Sequence, residues 1–169
     1  MIRPVRDADA AAVCALYNYY VENTVITFDE KPASIEAMED RIREVTAQFP
    51  WIVWEEGGVI LGYAYLHPWK ERNAYRFATE DSIYIRQDSQ GRGIGKKLLA
   101  RLLEEVKKID IHTVVAGITI PNEKSIGLHE QFGFKKTALF PEIGYKLGKW
   151  LDVGYWELIL PRAPGGTMP

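Results

Sequence analysis

The centre of the chain reads Ser82-Ile83-Tyr84-Ile85-Arg86-Gln87-Asp88-Ser89-Gln90-Gly91-Arg92-Gly93-Ile94-Gly95-Lys96-Lys97-Leu98-Leu99. Before the glycines, Ile83 and Ile85 recur with the two-residue period of a β-strand. After them, Ile94, Leu98 and Leu102 recur every four residues, which predicts an amphipathic helix. Glycines let backbone N–H groups approach a ligand closely, and a helix start adds a partial positive charge. We therefore predict a strand, loop and helix whose loop binds phosphate or pyrophosphate.

The glycine loop departs from two common nucleotide-binding patterns. It lacks the Gly-Lys-Ser/Thr ending of a P-loop and the full Gly-x-Gly-x-x-Gly of a dinucleotide site. A glycine turn before a helix is also compatible with a purely structural connection. The spacing alone leaves both interpretations open.

Length and charge limit the class of protein. A chain of 169 residues fits one domain with its own core, which we place at residues 1–160. The residues 161–169 are rich in Pro and Gly and are predicted to form a flexible tail. The formal net charge of −2 gives no electrostatic case for binding nucleic acid or an anionic membrane.

The cysteine and histidine residues of the chain indicate in which compartment the protein is expected and whether it is expected to bind a metal. Cys14 is the single cysteine, so no internal disulfide forms and a reducing, cytoplasmic location is expected. The start of the chain does not resemble a signal peptide, and no apolar run reaches the length of a membrane span. His67 and His112 have no partner at metal-ligand spacing, so we expect no metal site.

Periodicity and turn residues predict the order of elements. The order is strand 1–5, a helix after Asp7, a helix from 34 to 49, a hairpin over 51–67, strand 74–85, a helix to 109, strand 113–119, a helix over 122–132, and strands 134–140 and 152–160. An irregular segment around Gly144 and Gly148 is expected between the last two strands. The order predicts an α+β fold, a mixed twisted sheet of about seven strands flanked by about four helices.

The glycine loop fits the pattern Gln/Arg-x-x-Gly-x-Gly/Ala, with Gln90, Gly93 and Gly95 in register. It thereby resembles the pyrophosphate loop of the GNAT superfamily of N-acetyltransferases, which bind acetyl-CoA. The predicted order of elements is similar to that of this family. The resemblance implies a GNAT fold, acetyl-CoA as co-substrate, and coenzyme contacts from Ile83, Tyr84, Ile85, Gln90, Gly91, Arg92, Gly93, Ile94, Gly95, Lys96, Asn122 and Ser125.

The segment from Asn122 to Phe134 resembles a second GNAT segment, in which an Asn, a small residue and a Tyr precede a Gly-Phe turn. The resemblance implies that Asn122 and Ser125 face the pantetheine or phosphate arm of the coenzyme. His129 stands where many relatives have a Tyr proposed to protonate the leaving thiolate, and an imidazole can serve as such an acid. The alternatives are that His129 contacts the coenzyme or only packs along its helix.

Further segments resemble the phosphinothricin acetyltransferase group of the family, and this resemblance covers roughly residues 2 to 160. They are Thr24-Val25-x-x-Phe28, Pro68-Trp69-Lys70-x-Arg72-Asn73-Ala74-Tyr75, Thr79-Glu80-Asp81-Ser82, and Gly144-Tyr145-Lys146-x-Gly148-x-Trp150. The resemblance implies acetylation of the α-amino group of phosphinothricin, methionine sulfoximine, methionine sulfone or a similar small amino acid. Relatives in this group commonly form homodimers, and the resemblance implies a homodimer here.

The predicted strand 74–85 brings three polar side chains together. Residues four apart share a strand face, so Arg76, Glu80 and Tyr84 are expected in line. Glu80 can take the proton from the acceptor ammonium as a general base, while Asp81 faces the other way in a regular strand and would exchange with Glu80 at a bulge. Arg76, or Arg72 in the preceding loop, can hold the acceptor carboxylate with two hydrogen bonds. A solvated salt bridge between Arg76 and Glu80 is the structural alternative.

Three further residues complete the predicted site. The backbone N–H of Tyr84, or of a neighbour on a splayed strand, is expected to bind the developing oxyanion. Phe28 and Tyr75 are expected to wall the amino-acid pocket.

Two other functions stay open from the sequence. The same fold also supports acetylation of a protein or peptide amino group. A non-catalytic acyl-CoA-binding module would keep the glycine loop and would not need Glu80.

Overall fold

The computed structural model describes residues 1–161. In this range seven strands form one sheet, on which four α-helices pack, so the predicted α+β fold is confirmed. The strands are β1 (Ile2–Pro4), β2 (Trp51–Glu56), β3 (Val59–Pro68), β4 (Ala78–Ile85), β5 (Thr113–Ile120), β6 (Lys135–Lys146) and β7 (Lys149–Ile159). The helices are α1 (Ala10–Asn23), α2 (Ile35–Thr46), α3 (Ile94–Val106) and α4 (Glu123–Gln131). The predicted tail, residues 161–169, lies outside the described residues except for Pro161.

The sheet has the strand order β1-β2-β3-β4-β5-β7-β6 and separates two hydrophobic cores. Helices α3 and α4 cover one face, where Leu98 and Leu102 pack with Val114. Helices α1 and α2 cover the other face, where Tyr63 and Tyr84 are buried. No helix within residues 1–161 is long and apolar enough to cross a membrane.

The centre of the sheet is split. Strands β4 and β5 run parallel, but they pair only from Ala78 opposite Thr113 to Glu80 opposite Val115. Beyond Glu80, β4 continues to Ile85 and β5 to Ile120 without pairing to each other. The strands therefore diverge and leave backbone groups on the facing edge of β4 open to a ligand.

The predicted start of β4 is wrong. Asn73–Tyr75 form a short 3-10 turn, closed by a hydrogen bond from the Tyr75 N–H to the Arg72 carbonyl at 2.9 Å, and β4 begins at Ala78. Arg76 thus precedes the strand, and it does not share a strand face with Glu80 and Tyr84.

The predicted irregular segment around Gly144 and Gly148 is also wrong. Strands β6 and β7 form one long hairpin whose turn contains Leu147 and Gly148. A register shift between Phe140 and Gly144 absorbs the extra residues, so pairing resumes at Gly144 opposite Leu151.

Candidate active site

A cleft of about 970 Å³ occupies the split between β4 and β5. It extends from the glycine loop to the connection between α1 and α2, residues 24–34, which we call the acceptor loop. Every predicted coenzyme-binding residue except Arg92 lines this cleft. Glu80, Tyr84 and His129, the three predicted catalytic residues, also line it.

The glycine loop has the backbone conformation that the sequence suggests. Gly91 and Gly93 have φ values of 76° and 75°, in the left-handed region that side chains other than glycine rarely adopt. Gly93 is the N-cap of α3, so the free N–H groups at the start of this helix lie at the cleft. This arrangement fits a pyrophosphate group. Lys96 and Lys124 line the same end and supply positive charge.

Arg92 is the predicted coenzyme residue that the structure places elsewhere. Its Nη2 donates to Glu56 Oε2 at 2.6 Å, on the hairpin between β2 and β3. This exposed ion pair directs the side chain away from the cleft lining.

The pairing of β4 shows which amides are available to a ligand. The Arg86 N–H donates to the Leu61 carbonyl of β3 at 2.9 Å, and N–H directions alternate along a strand. The Tyr84 N–H therefore points at β3, so of the two predicted oxyanion donors, Tyr84 or a neighbour, the geometry leaves the neighbour. The N–H of its neighbour Ile83 faces the split. The backbone groups of Ile85 are engaged by the Tyr20 hydroxyl, which donates to the Ile85 carbonyl at 2.5 Å.

Glu80 lies at the narrow end of the split, on the face covered by α1 and α2. Its carboxylate occupies space opened by Gly117 of β5, since a Cβ there would lie 2.5 Å from Glu80 Oε1. Burial, followed by the nearby charge of Asp81, raises the pKa of Glu80 from 4.5 to about 7. A carboxylate with this pKa exchanges protons near neutral pH.

Asp81 faces the opposite side of β4, as expected, and forms a buried pair with His129 of α4. His129 Nε2 lies 3.0 Å from Asp81 Oδ2, and Nδ1 lies 2.7 Å from the Ser125 carbonyl oxygen. A carbonyl only accepts, so Nδ1 carries a proton. Burial lowers the pKa of His129, but the charge and hydrogen bond of Asp81 outweigh it and the net pKa is raised. The raised pKa and the two acceptors favour the imidazolium form, in which both ring N–H groups donate.

The predicted acceptor residues divide into two groups. Phe28 lines the cleft from the acceptor loop. Arg72, Tyr75 and Arg76 are exposed and do not line it. The Arg76 guanidinium lies over the Phe77 ring, 4.2 Å from its centroid, and Tyr75 packs edge-on against Trp69.

Sequence reasoning missed several residues of the cleft: Tyr20, Thr27, Gly117, Lys124, Ile143, Val153 and Tyr155. Gly117 carried a usable signal, because a glycine inside a predicted strand often marks a close approach of another group. The others are ordinary core or surface residues in the sequence, and only the fold brings them to the cleft. Within residues 1–161, no group of three or more His, Cys, Asp or Glu is placed to hold a metal ion.

Comparison with known proteins agrees with this geometry. The family model of the acetyltransferase (GNAT) domain matches residues 2–154. The chain is 37% identical over 170 residues to the phosphinothricin N-acetyltransferase of Streptomyces viridochromogenes, covering 99% of this chain and 93% of that protein. It is 36% identical over 163 residues to the L-methionine sulfoximine/L-methionine sulfone acetyltransferase of Salmonella typhimurium, covering 94% of each.

A solved structure extends the agreement to the coenzyme. A Salmonella typhimurium protein in complex with its cofactor acetyl-CoA superposes with a TM-score of 0.95 and 34% identity, covering 100% of this chain and 96% of the other. The glycine loop, the split sheet and the open amide of Ile83 fit the same coenzyme. The chain belongs to the GNAT family and is an acetyl-CoA-dependent N-acetyltransferase.

Proposed function

We propose that the chain acetylates the α-amino group of a small amino acid of the phosphinothricin or methionine sulfoximine type, with Glu80 as the general base. The observation that carries this proposal is the Glu80 carboxylate at the end of the split, with a pKa of about 7. It can accept a proton from an ammonium group near neutral pH. The substrates in the names of the two relatives above support the same acceptor class.

Different residues of the chain carry out the successive steps of the reaction. The glycine loop, Asn122 and Ser125 hold the coenzyme, which supplies an acetyl thioester. Glu80 takes a proton from the acceptor ammonium, and the freed nitrogen lone pair attacks the acetyl carbon. The Ile83 N–H donates to the acetyl oxygen as negative charge develops there. The carbon–nitrogen bond forms as the carbon–sulfur bond breaks, the nitrogen gives up its second proton as it becomes an amide, and the CoA thiolate takes up one proton and leaves as the thiol.

The acceptor carboxylate is assigned to Arg72 or Arg76. Both belong to the connection between β3 and β4, from which Lys70 lowers the pKa of Glu80 by its charge. This connection therefore supplies positive charge near the base. Because neither arginine lines the cleft, this assignment requires one of them, together with Tyr75, to move towards Glu80 when the acceptor binds.

His129 acts in this proposal through its charge rather than by giving up a proton. An imidazolium beside the cleft favours the leaving thiolate, while Asp81 keeps the ring protonated. Asp81→Asn should reduce kcat more at about pH 8 than at about pH 6, because it removes the charge and the hydrogen bond that raise the pKa of His129, so that the ring gives up its proton at a lower pH. The measurement is kcat of both proteins at the two pH values. An equal loss at both would contradict the electrostatic role.

The acceptor class is tested by the release of CoA from acetyl-CoA with a panel of acceptors. The panel contains phosphinothricin, methionine sulfoximine, methionine sulfone, the amide of methionine sulfone and a short peptide. We expect turnover with the free amino acids and little with the amide, which lacks the carboxylate. Turnover with the peptide alone would overturn the acceptor class and keep the acetyl transfer.

We also propose that the chain forms a homodimer through the hairpin of β6 and β7. This hairpin exposes Leu139, Phe140, Ile143, Tyr145, Leu147 and Trp150, each with between 45% and 62% of its surface accessible. A monomer rarely leaves so many large apolar side chains together in water.

The dimer is tested by light scattering, which should give twice the chain mass of 19.3 kDa for the wild-type protein. Trp150→Glu should give the mass of one chain. A monomeric wild-type protein would contradict the proposal.

The cytoplasmic location remains part of the proposal. It rests on the lone Cys14, which is buried and cannot form an internal disulfide. Fractionation of the producing cell checks it, and recovery outside the cytoplasm would contradict it.

A further inference from the structure

Lys146 is a buried lysine that the proposed reaction does not use. It is the last residue of β6, and only 2% of its surface is accessible. Its Nζ donates to the backbone carbonyl of Thr27 at 2.8 Å. Across the turn it pairs with Lys149, which is exposed. Lys146 is thus buried and Lys149 exposed, although both lysines lie on the same hairpin.

The partner of Lys146 belongs to the wall of the cleft. Ile26, Thr27 and Phe28 of the acceptor loop all line the cleft that Glu80 also lines. Thr27 is also tied to α1, because its Oγ1 lies 3.0 Å from the Tyr17 hydroxyl. The bond from Lys146 ties the same residue to the sheet, so Thr27 is fixed from two sides.

A second contact joins the acceptor loop to β6 two residues before Lys146. A Cβ at Gly144 would overlap the ring of Phe28, so the ring packs directly on the backbone of β6. Residues two apart on a strand share a face, and Gly144 and Lys146 therefore form one docking surface for the loop. Phe28 depends on this surface for its position in the cleft.

The charge of Lys146 makes the bond to Thr27 strong. Burial lowers the pKa of the Lys146 ammonium, while Asp29 and Glu30 of the acceptor loop oppose this effect. A buried ammonium needs acceptors, and a hydrogen bond from a charged donor is stronger than one between neutral groups. Both the carbonyl and these carboxylates come from the acceptor loop.

We infer that Lys146 is a positioning residue that holds the acceptor loop against β6 and thereby shapes the wall on which the amino-acid acceptor binds. The inference rests on the proposed function for the identity of the acceptor. The link between Lys146 and the loop stands on contacts within the chain alone. In the proposed reaction acetyl-CoA binds at the glycine loop, at the other end of the cleft, so its affinity should not depend on this link.

The test compares Lys146→Met with Lys149→Met, which removes a similar charge from the exposed position across the turn. Lys146→Met should raise the KM for the amino-acid acceptor at least tenfold and leave the Kd for acetyl-CoA within twofold of wild type. Lys149→Met should change neither constant. An acceptor KM within twofold of wild type in folded Lys146→Met would overturn the inference, as would an equal rise in the acetyl-CoA Kd.

Hydrogen exchange gives a second readout that needs no acceptor. Backbone amides of residues 25–30 should exchange at least tenfold faster in Lys146→Met and at the wild-type rate in Lys149→Met. Unchanged exchange would overturn the link between Lys146 and the loop. Faster exchange without turnover of any amino acid by the wild-type enzyme would instead leave the link intact and reject the proposed acceptor.

Discussion

Glu80→Gln is expected to reduce kcat by about a hundred- to ten-thousand-fold, the range over which general bases contribute. The Gln side chain keeps the shape of Glu80 and its position beside Gly117, but it cannot accept a proton from the acceptor ammonium. The Kd for acetyl-CoA should stay unchanged, because the glycine loop binds the other end of the coenzyme. CoA release gives kcat, and calorimetry gives the Kd.

The control for this substitution is Glu71→Gln, which alters an exposed carboxylate in the connection before β4. It should leave kcat near the wild-type value. Equal turnover by wild type and Glu80→Gln would remove Glu80 from the mechanism. The absence of turnover in both, with acetyl-CoA still bound, would mean that the acceptor used in the assay is not a substrate.

The stability of Glu80→Gln shows whether this variant loses activity because the base is missing or because the protein misfolds. The pKa of Glu80 is about 7 in the folded chain against an ordinary value of 4.5, so the folded state holds this proton over a pH range in which the unfolded state has lost it. The free energy of unfolding therefore falls as pH rises from 4.5 to about 7, since the ionised group is buried. Glu80→Gln removes this cost, and its unfolding temperature above pH 7 should equal or exceed that of wild type.

Gly93→Val is expected to weaken acetyl-CoA binding at least tenfold. A Cβ at this position meets no atom within 4 Å, so the effect does not arise from a clash within the chain. It arises from the φ of 75°, which costs an L-residue about 1–2 kcal/mol and a β-branched residue more. Relief of this strain turns the amides at the start of α3 away from the pyrophosphate. Calorimetry with acetyl-CoA measures the change.

Gly58→Val provides a matched control for backbone strain. Gly58 has a φ of 78°, and a Cβ there also has nothing within 4 Å, but it lies in the turn between β2 and β3. The two variants should lose similar stability, and only Gly93→Val should lose coenzyme affinity. Equal affinity in both would place the pyrophosphate elsewhere.

The features that could be predicted from sequence are those with a local cause. The glycine loop follows from glycines between a strand pattern and a helix pattern. The start of α4 follows from Asn122, whose side chain accepts from the Ser125 N–H at 3.2 Å and caps the helix. These signals lie within a few residues of the structure that they determine.

The features that could not be predicted from the sequence depend on residues that are far apart in the chain or on the path of the backbone. The residues before Ala78 alternate like a strand, yet the chain turns at Asn73–Tyr75 and only then joins the sheet. The pair of Asp81 and His129 joins residues 48 apart, and the burial that raises the pKa of Glu80 depends on β5 and the helices. The direction of the Tyr84 N–H follows from its pairing register with β3, which the sequence does not reveal.

The pH dependence of kcat/KM for the acceptor tests the role of Glu80 most directly. The wild-type profile should rise through a pKa of about 7, because Glu80 has to be ionised to take the proton. In Glu80→Gln that rise should vanish and leave only the slope from ionisation of the acceptor amine. A profile with the same rise near pH 7 in both proteins would contradict the account, since another group would then be the base.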